Sequence, residues 1–152
     1  MNGFKEYDNF DALGLAALVK TGEVSPEQLL IEAINRRNAV NGKINAVIYN
    51  MDDLAYDSIK KGLPKGTFAG VPFLITGVLA ADAGVRLTSG SRAFENCVPD
   101  FDSEMMKRYK ASGVVIFGKT NTPEFGLMGV TEPVLHGITR NPWNLQRTSG
   151  GS

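Results

Sequence analysis

The pattern of apolar and polar residues over the first sixty positions predicts helices. Apolar side chains at 13, 15, 16, 18 and 19 form one broad face of a helix that begins near residues 8–11 and stops at Gly22. Residues 25–28, Ser-Pro-Glu-Gln, then combine an N-cap hydroxyl, a proline at the first helical position and a glutamine three residues after the cap. This capping box predicts a second helix, which we expect to end at Gly42.

Two further elements are expected before residue 62. The apolar residues Ile44, Ala46 and Ile48 alternate with other types, which is typical of a short half-buried strand. Asn50 is then positioned to cap a third helix that runs towards Gly62. The sequence up to this point therefore predicts a largely helical region.

From residue 70 onward the apolar residues come in short runs. The runs 71–75 and 114–117 are too short for a free helix and are typical of buried strands. Between them, Asp102 or Ser103 can cap a helix that stops at Gly113. A helix followed by a buried strand implies an α/β sheet.

The last thirty residues carry weaker structural signals. Residues 122–124, Thr-Pro-Glu, offer one more helix start, and the chain from Gly126 onward is rich in turn-forming residues, so we expect loops there. Trp143 lies between Pro and Asn, and we expect it to anchor its loop on the core. The chain stops at Ser152 inside a glycine-serine run, from which we expect a chain that is cut off.

Composition excludes several classes of function. Hydrophobic residues make up 43% and charged residues 21% of the 152 residues, as in one ordinary globular domain. Because sixteen Lys and Arg balance sixteen Asp and Glu, we expect no nucleic-acid partner and no binding to a membrane surface. No apolar stretch approaches the ~20 residues of a membrane span. The lone Cys97 and the single His136 predict no disulfide, no metal site and a cytoplasmic location.

Four blocks of sequence resemble the amidase-signature family and occur in that family's order. They are GVPFLI at 70–75, LTSGS at 87–91, GKTNTPEF at 118–125 and TRNPWN at 139–144. The resemblance implies an α/β fold made of N-terminal helices and the first strands of the family's mixed sheet, truncated. It describes 1–152 as a partial amidase-signature domain, with 1–62 as a helical N-terminal region and 70–152 as the start of the α/β core. No cofactor is implied.

The resemblance also assigns catalytic positions. The family hydrolyses carboxamide C–N bonds with a nucleophilic serine, a bridging serine in a cis peptide and a lysine that takes up the proton. That lysine belongs directly after the strand 73–75, where this chain has Thr76 and Gly77. A threonine hydroxyl has no basic lone pair able to hold a proton near pH 7. The bridging serine falls at Ser152 and the nucleophile lies beyond it, so we expect this polypeptide to be inactive.

Other candidate residues receive structural interpretations. The mismatch to the family covers 76–79 and then ends without a change in length, which resembles a corrected reading-frame slip. Lys119 could substitute as a base, but the family has a lysine there alongside its catalytic one, which favours a structural role. His136 has no triad partner at a recognisable spacing. The hydroxyl groups of the 88–91 loop, on Thr88, Ser89 and Ser91, are expected to satisfy backbone groups in turns.

Three functions are compatible with these observations. The chain is an inactive amidase fragment, or an interaction protein that pairs with itself or with a chain supplying the missing part of the fold, or one half of a split amidase. Specificity in this architecture depends on loops that the sequence does not contain, so the substrate is not identified. The amidotransferase branch of the family, which acts on charged transfer RNA, stays open as the ancestor.

Overall fold

The computed structural model describes residues 3–151 of the chain, as an α/β fold. The α-helices are α1 (Ala12–Thr21), α2 (Pro26–Ile44), α3 (Asp52–Lys61) and α4 (Glu104–Ala111). The strands are β1 (Val47–Asn50), β2 (Pro72–Thr76), β3 (Val115–Thr120), β4 (Arg140–Asn141) and β5 (Asn144–Thr148). Three strands form a sheet in the order β1-β3-β2, and β4 pairs with β5 in an antiparallel hairpin. The α/β fold class expected from the sequence is confirmed.

The first two helices begin as the sequence predicts. Before α1, the side chain of Asp11 accepts a hydrogen bond from the Gly14 amide at 2.8 Å, and Gly22 ends the helix in a left-handed conformation with φ 79°. Before α2, the Ser25 amide donates to Gln28 Oε1 at 2.9 Å and the Gln28 amide donates to Ser25 Oγ at 3.2 Å. The capping box is therefore formed in full.

The predicted end of α2 at Gly42 is wrong by two residues, because an asparagine side chain makes the turn instead of the glycine. The helix continues to Ile44, and Asn45 then adopts a φ of 51°. Asn41 Oδ1 accepts from the amides of Ala46 and Val47 at 2.9 and 2.8 Å, which satisfies backbone groups of the residues that enter β1. Strand β1 consequently begins later than the predicted strand.

The start of α3 also differs from the prediction. Its N-cap residue is Met51, whose side chain makes no capping hydrogen bond, whereas Asn50 is the last residue of β1. The helix does end before Gly62, as expected. At the N-terminus of α4, Ser103 Oγ accepts from the Met106 amide at 3.4 Å, so the serine rather than Asp102 caps that helix.

The chain divides into two compact units. The first unit comprises the segment up to Ala39, Met51–Leu74 and Lys107–Gly118, and the second comprises Val40–Asn50, Ile75–Met106 and the segment from Lys119 onward. The division of the sequence at 62 and 70 into a helical region and an α/β core stays a prediction, since the units are formed from interleaved segments.

Two apolar clusters form the core of the first unit. One is built from buried residues of α2, α3 and β3, namely Leu30, Ala33, Ala55, Val115 and Phe117. The other is built on α1 and α2 and contains Leu15, Val24, Leu29 and Val71. The buried Arg37 guanidinium forms an ion pair with Asp52 at 2.5 Å and lies over the ring of Phe117.

The C-terminal part of the second unit differs from the sequence-based expectation. Instead of the helix expected from residue 122, the chain forms only one short 3-10 turn, Glu124–Gly126. The expected loop contains the β4-β5 hairpin. Trp143, in the hairpin turn, is 92% exposed, so the prediction that it anchors the loop on the core is wrong. Within residues 3–151, no helix is both long and apolar enough to cross a bilayer.

Candidate functional site

The position that the sequence assigns to the missing lysine lies at the end of β2. Thr76 is the last residue of the strand and is half-buried. The next residue is held on both sides, because the Gly77 amide donates to Thr120 O at 3.0 Å and Gly77 O accepts from the Ser89 amide at 3.1 Å. The backbone at 76–77 is therefore fixed between β3 and the 88–91 loop.

Gly77 has no room for a side chain in this arrangement. A Cβ atom added at Gly77 would lie 2.8 Å from Thr120 O and 3.3 Å from the Thr122 side chain. A backbone carbonyl cannot move away by a rotamer change, so any other residue here requires the main chain to shift. Only the glycine fits beside Thr76 with the present backbone.

The segment that follows contains a strained and exposed residue. Leu79 adopts a φ of 62°, a conformation that costs a residue with a Cβ about 1–2 kcal/mol, and its side chain is 78% exposed. The next two residues, Ala80 and Ala81, are buried again. Leu79 thus lies in the stretch 76–79, in which the sequence departs from the family pattern.

Lys119 is buried near the end of β3. Its residue exposure is 1%, and Nζ donates a hydrogen bond to Ala80 O at 3.3 Å. Burial lowers the pKa of Lys119, while the carboxylate of the buried Asp82 opposes that effect. The side chain therefore holds its amine in a largely desolvated position.

A hydroxyl–imidazole pair occurs in the same unit. Thr88 Oγ1 lies 2.8 Å from His136 Nε2 and also accepts from the Gly90 amide at 3.3 Å. Burial lowers the pKa of His136; Glu95 raises it and Arg86 lowers it further. The lowered pKa favours the neutral imidazole, whose unprotonated nitrogen can accept a hydrogen bond from the threonine hydroxyl.

Hydrogen bonds to the backbone position this histidine. Asn45 Nδ2 donates to the carbonyls of His136 and Ile138 at 2.8 and 3.2 Å, and Thr139 Oγ1 donates back to Asn45 O at 2.7 Å. Sequence reasoning missed the pairing with Thr88, because the two residues are 48 positions apart and no local pattern marks them. The available signal was only that the lone histidine and a hydroxyl-rich loop occur in one chain.

A small cavity brings several of these groups together. Its volume is about 230 Å³, and all its lining residues belong to the second unit. The lining consists of Ile48, Tyr49, Gly77, Arg86, Thr88, Glu95, Lys119, Leu135 and His136. The cavity therefore contains an amine, a hydroxyl–imidazole pair and one exposed charge of each sign. Across residues 3–151, no cluster of three or more His, Cys, Asp or Glu side chains could hold a metal ion.

The second predicted catalytic position, Ser152, lies outside the described residues. Of the two glycines before it, only Gly151 is closely packed, because a Cβ there would meet Met128 O at 2.1 Å. Gly150 O accepts a hydrogen bond from Thr131 Oγ1 at 2.8 Å. The roles assigned to Thr76 and Ser152 stay predictions.

Comparison with known sequences identifies the family. The sequence model of the amidase family matches residues 28–152. The chain is 42% identical over 144 residues to the 6-aminohexanoate-cyclic-dimer hydrolase of Paenarthrobacter ureafaciens, a match that covers 93% of this chain and 29% of that protein. It is 37% identical over 145 residues to a glutamyl-tRNA(Gln) amidotransferase subunit of Sulfurihydrogenibium sp. (strain YO3AOP1), over 91% of this chain and 30% of that protein.

Solved structures show the same relationship. The structure of a 6-aminohexanoate cyclic dimer hydrolase complexed with substrate matches with a TM-score of 0.89 at 39% identity, over 98% of this chain and 30% of that one. A bacterial aryl acylamidase matches with a TM-score of 0.84 at 31% identity, over 94% of this chain and 31% of that one. The chain thus spans less than a third of the length of these relatives. Sequence and fold agree, and the chain belongs to the amidase family.

Proposed function

We propose that this chain corresponds to the N-terminal part of an amidase-family hydrolase and that, by itself, it does not hydrolyse amides. One observation carries the proposal: the last residue of β2, where the family resemblance requires a lysine, is Thr76. The comparison supports the assignment to the N-terminal part, because the match covers 93% of this chain and 29% of the P. ureafaciens hydrolase.

The chemistry explains why residue 76 is decisive. A serine hydroxyl is a weak nucleophile at neutral pH and needs a base within hydrogen-bond reach. An amine fulfils that role when burial lowers its pKa, whereas a threonine hydroxyl has no basic lone pair near pH 7. Without the base, the serine stays protonated and the C–N bond is not attacked.

Lys119 is the obvious candidate for a substitute base, and we assign it no part in amide hydrolysis. Its Nζ donates to Ala80 O, which ties the amine to the segment after β2. The resemblance also has a lysine at this position in addition to the catalytic one. The proposal therefore treats the loss at position 76 as uncompensated.

A chimera tests this assignment. This chain would be followed by the part of the P. ureafaciens cyclic-dimer hydrolase that continues beyond the position matched to residue 152. With Thr76 we expect no turnover of an aryl anilide, and with Thr76→Lys we expect measurable hydrolysis. Thr76→Met is the matched control, because it supplies similar bulk without an amine.

Gly77 decides how the chimera is built. Because a side chain at 77 would meet Thr120 O, Thr76→Lys is made with Gly77 retained, and the Gly77→Asp change is added in a second variant. A folded Thr76→Lys chimera that stays inactive in both backgrounds would show that position 76 is wrongly assigned. Hydrolysis by the Thr76 chimera, or by the purified 152-residue chain, would overturn the proposal.

A second candidate function is assembly with another chain that supplies the remaining part of the fold, or with a second copy. The observation that favours it is the apolar surface of the second unit, where Leu127, Met128, Val134 and Trp143 are each more than half exposed. Met128 and Val134 line the same depression of about 260 Å³. One relative, the glutamyl-tRNA(Gln) amidotransferase protein, is by its name one subunit of a larger enzyme.

Size-exclusion chromatography with light scattering tests for assembly. At micromolar concentration we expect the chain alone to self-associate, and we expect added C-terminal fragment of the cyclic-dimer hydrolase to convert it into a one-to-one complex. Leu127→Glu should weaken both forms of association, whereas Leu13→Glu, an exposed leucine of the first unit, is the matched control. A chain that stays monomeric and does not bind the added fragment would contradict the assembly function.

A further inference from the structure

A groove of about 620 Å³ lies in the first unit, between α1 and the segment 65–69. We propose that this groove binds a linear alkyl carboxylate, with the alkyl chain along α1 and the carboxylate beside two lysines. The proposal goes beyond amide hydrolysis and does not depend on the residue at position 76. It rests on the order of residues along α1, the charge of the lining and the backbone contacts that hold the walls in place.

The α1 wall of the groove changes from apolar to charged along the helix. Besides Val19, it is formed by positions 13, 16, 17 and 20, which are three or four residues apart and therefore share one face of the helix. The first three are Leu13, Ala16 and Ala17, and the last is Lys20. At about 1.5 Å per residue this stripe is about 10 Å long, close to the length of a chain of about eight carbons. An alkyl chain can therefore lie on the apolar residues with its head group at the end of α1.

The charge of the lining favours an anionic head group. Lys20 and Lys65 are the charged residues of the groove, and within residues 3–151 neither of them forms an ion pair. The exposed Thr67 also lines the groove and adds a hydroxyl. A carboxylate accepts hydrogen bonds from ammonium and hydroxyl groups alike, whereas a cationic head group would be repelled by both lysines. The apolar and the positive parts of the groove thus match the two parts of an alkyl carboxylate.

Close backbone contacts hold the opposite wall in place. The Phe68 amide donates to Ser112 O at 2.9 Å, and a Cβ added at Gly66 would lie 2.2 Å from the same oxygen. A Cβ added at Gly70 would lie 2.9 Å from Val19 Cγ1, a side-chain atom of α1. The segment is therefore packed against α1 and against the turn that follows α4. A ligand that enters such a groove loses little binding free energy in ordering the backbone.

Isothermal titration calorimetry with sodium octanoate tests the proposal on the 152-residue chain at pH 7 and low salt. We expect one saturable site with a Kd of about 1 mM or lower, because partial burial of several methylenes adds to two exposed ion pairs. From butanoate to hexanoate to octanoate, the Kd should fall about two- to fourfold for each added CH₂. Octanol should bind several-fold more weakly, and octylammonium should not bind measurably.

Paired lysine variants separate the groove from the net charge of the chain. Lys20→Gln combined with Lys65→Gln should weaken octanoate binding about five- to tenfold and leave octanol binding unchanged. Lys60→Gln combined with Lys61→Gln removes the same charge from α3, outside the groove, and should leave the octanoate Kd unchanged. An equal effect of both pairs, equal binding of octanol and octanoate, or no saturable binding up to about ten times the expected Kd would overturn the proposal.

Leu13→Glu tests the apolar end of the groove and the alternative that a second copy of the chain occupies it. Leu13 is 57% exposed, so the folded chain can accept the substitution, and the added carboxylate should abolish octanoate binding. In NMR spectra of the parent chain, octanoate should shift amide resonances of α1 and of 65–69. Shifts centred elsewhere would contradict the proposal. Dissociation of an assembled chain by Leu13→Glu in light scattering would assign the groove to a second copy and would also overturn it.

Discussion

The two units differ in how they treat polar groups. In the first unit, apolar clusters on α1, α2 and α3 form the interior, and the buried charge of Arg37 is paired with Asp52. In the second unit, several buried side chains are polar, and two of them, Thr88 and Lys119, line a cavity. The interior of the first unit is thus mainly apolar, whereas the second unit also buries a hydroxyl and an amine.

The units also differ in what they leave exposed and strained. Leu79 and Phe125 in the second unit both have positive φ, as do Ser89 and Asn45, so every non-glycine residue with positive φ among the described residues belongs to that unit. Side chains such as Leu127 and Trp143 remain in solvent. Strained backbone and exposed apolar surface are typical of functional or interacting regions. Packing and chemistry are therefore separated along this fold.

The largest expected effect tests the packing of the first unit. Leu30 is fully buried in the cluster with Ala33 and Phe117, so Leu30→Ala should lower the free energy of unfolding by about 2–5 kcal/mol, through lost burial and the cavity left behind. Leu127→Ala, at a leucine of the second unit that is 80% exposed, is the control and should change it by less than about 0.5 kcal/mol. Urea unfolding measures both. Equal effects would abolish the distinction between the units.

The next effect tests the close approach at the predicted catalytic position. Gly77→Ala should lower the free energy of unfolding by about 1–3 kcal/mol, because its Cβ would meet Thr120 O at 2.8 Å. Gly42→Ala is the matched control, since a Cβ there meets nothing within 4 Å and the residue lies inside α2, where alanine should stabilise by about 0.5–1 kcal/mol. In thermal unfolding we expect Gly77→Ala to lower the melting temperature and Gly42→Ala to raise it. A neutral Gly77→Ala would show that the 76–77 backbone is free to move.

Much of the first unit could be predicted from the sequence because its signals are local. The capping box at 25–28 and the glycine stop at Gly22 each lie within one turn of the helix end that they define. The predicted end of α2 at Gly42 is wrong, because Asn45 takes the positive φ after the helix and Asn41 Oδ1 accepts from the amides of Ala46 and Val47. Where the deciding contact is nearby in sequence, the pattern predicts the structure.

The candidate site could be predicted only in part, because its contacts are distant in sequence. The family resemblance pointed to residue 76, but the pairing of Thr88 with His136 and the cavity around Lys119 depend on segments brought together by the fold. The prediction that Trp143 is buried is wrong for a similar reason. A tryptophan in a loop is buried only if another segment of the chain packs against it, and here the side chain is 92% exposed. Local patterns cannot specify such contacts.

A moderate effect tests the capping box of α2. Ser25→Ala should lower the free energy of unfolding by about 1 kcal/mol, because the Gln28 amide loses its acceptor. Adding Gln28→Ala should cost little more, since the two bonds act as one reciprocal unit. Ser58→Ala, at a hydroxyl that donates to Ala55 O within α3, is a control for removing a serine. Additive losses from Ser25 and Gln28 in urea unfolding would show that the two bonds are independent.

The smallest effect tests whether the second unit buries a neutral imidazole. Because the folded protein lowers the pKa of His136 below its usual 6.5, the unfolded chain binds more protons at mildly acidic pH, and stability rises with pH. This contribution is fully present above pH 6.5 and is lost as the pH falls through 6.5 towards the folded pKa. The difference in unfolding free energy between the parent and His136→Gln should therefore grow from pH 5 to pH 7 and then level off. Glu95→Gln should steepen the rise, because that carboxylate raises the pKa of His136 and partly offsets the effect of burial. A pH-independent difference would mean that the imidazole is as well hydrated in the folded protein as in the unfolded chain, and the contrast between the units would then rest on the backbone and on Lys119 alone.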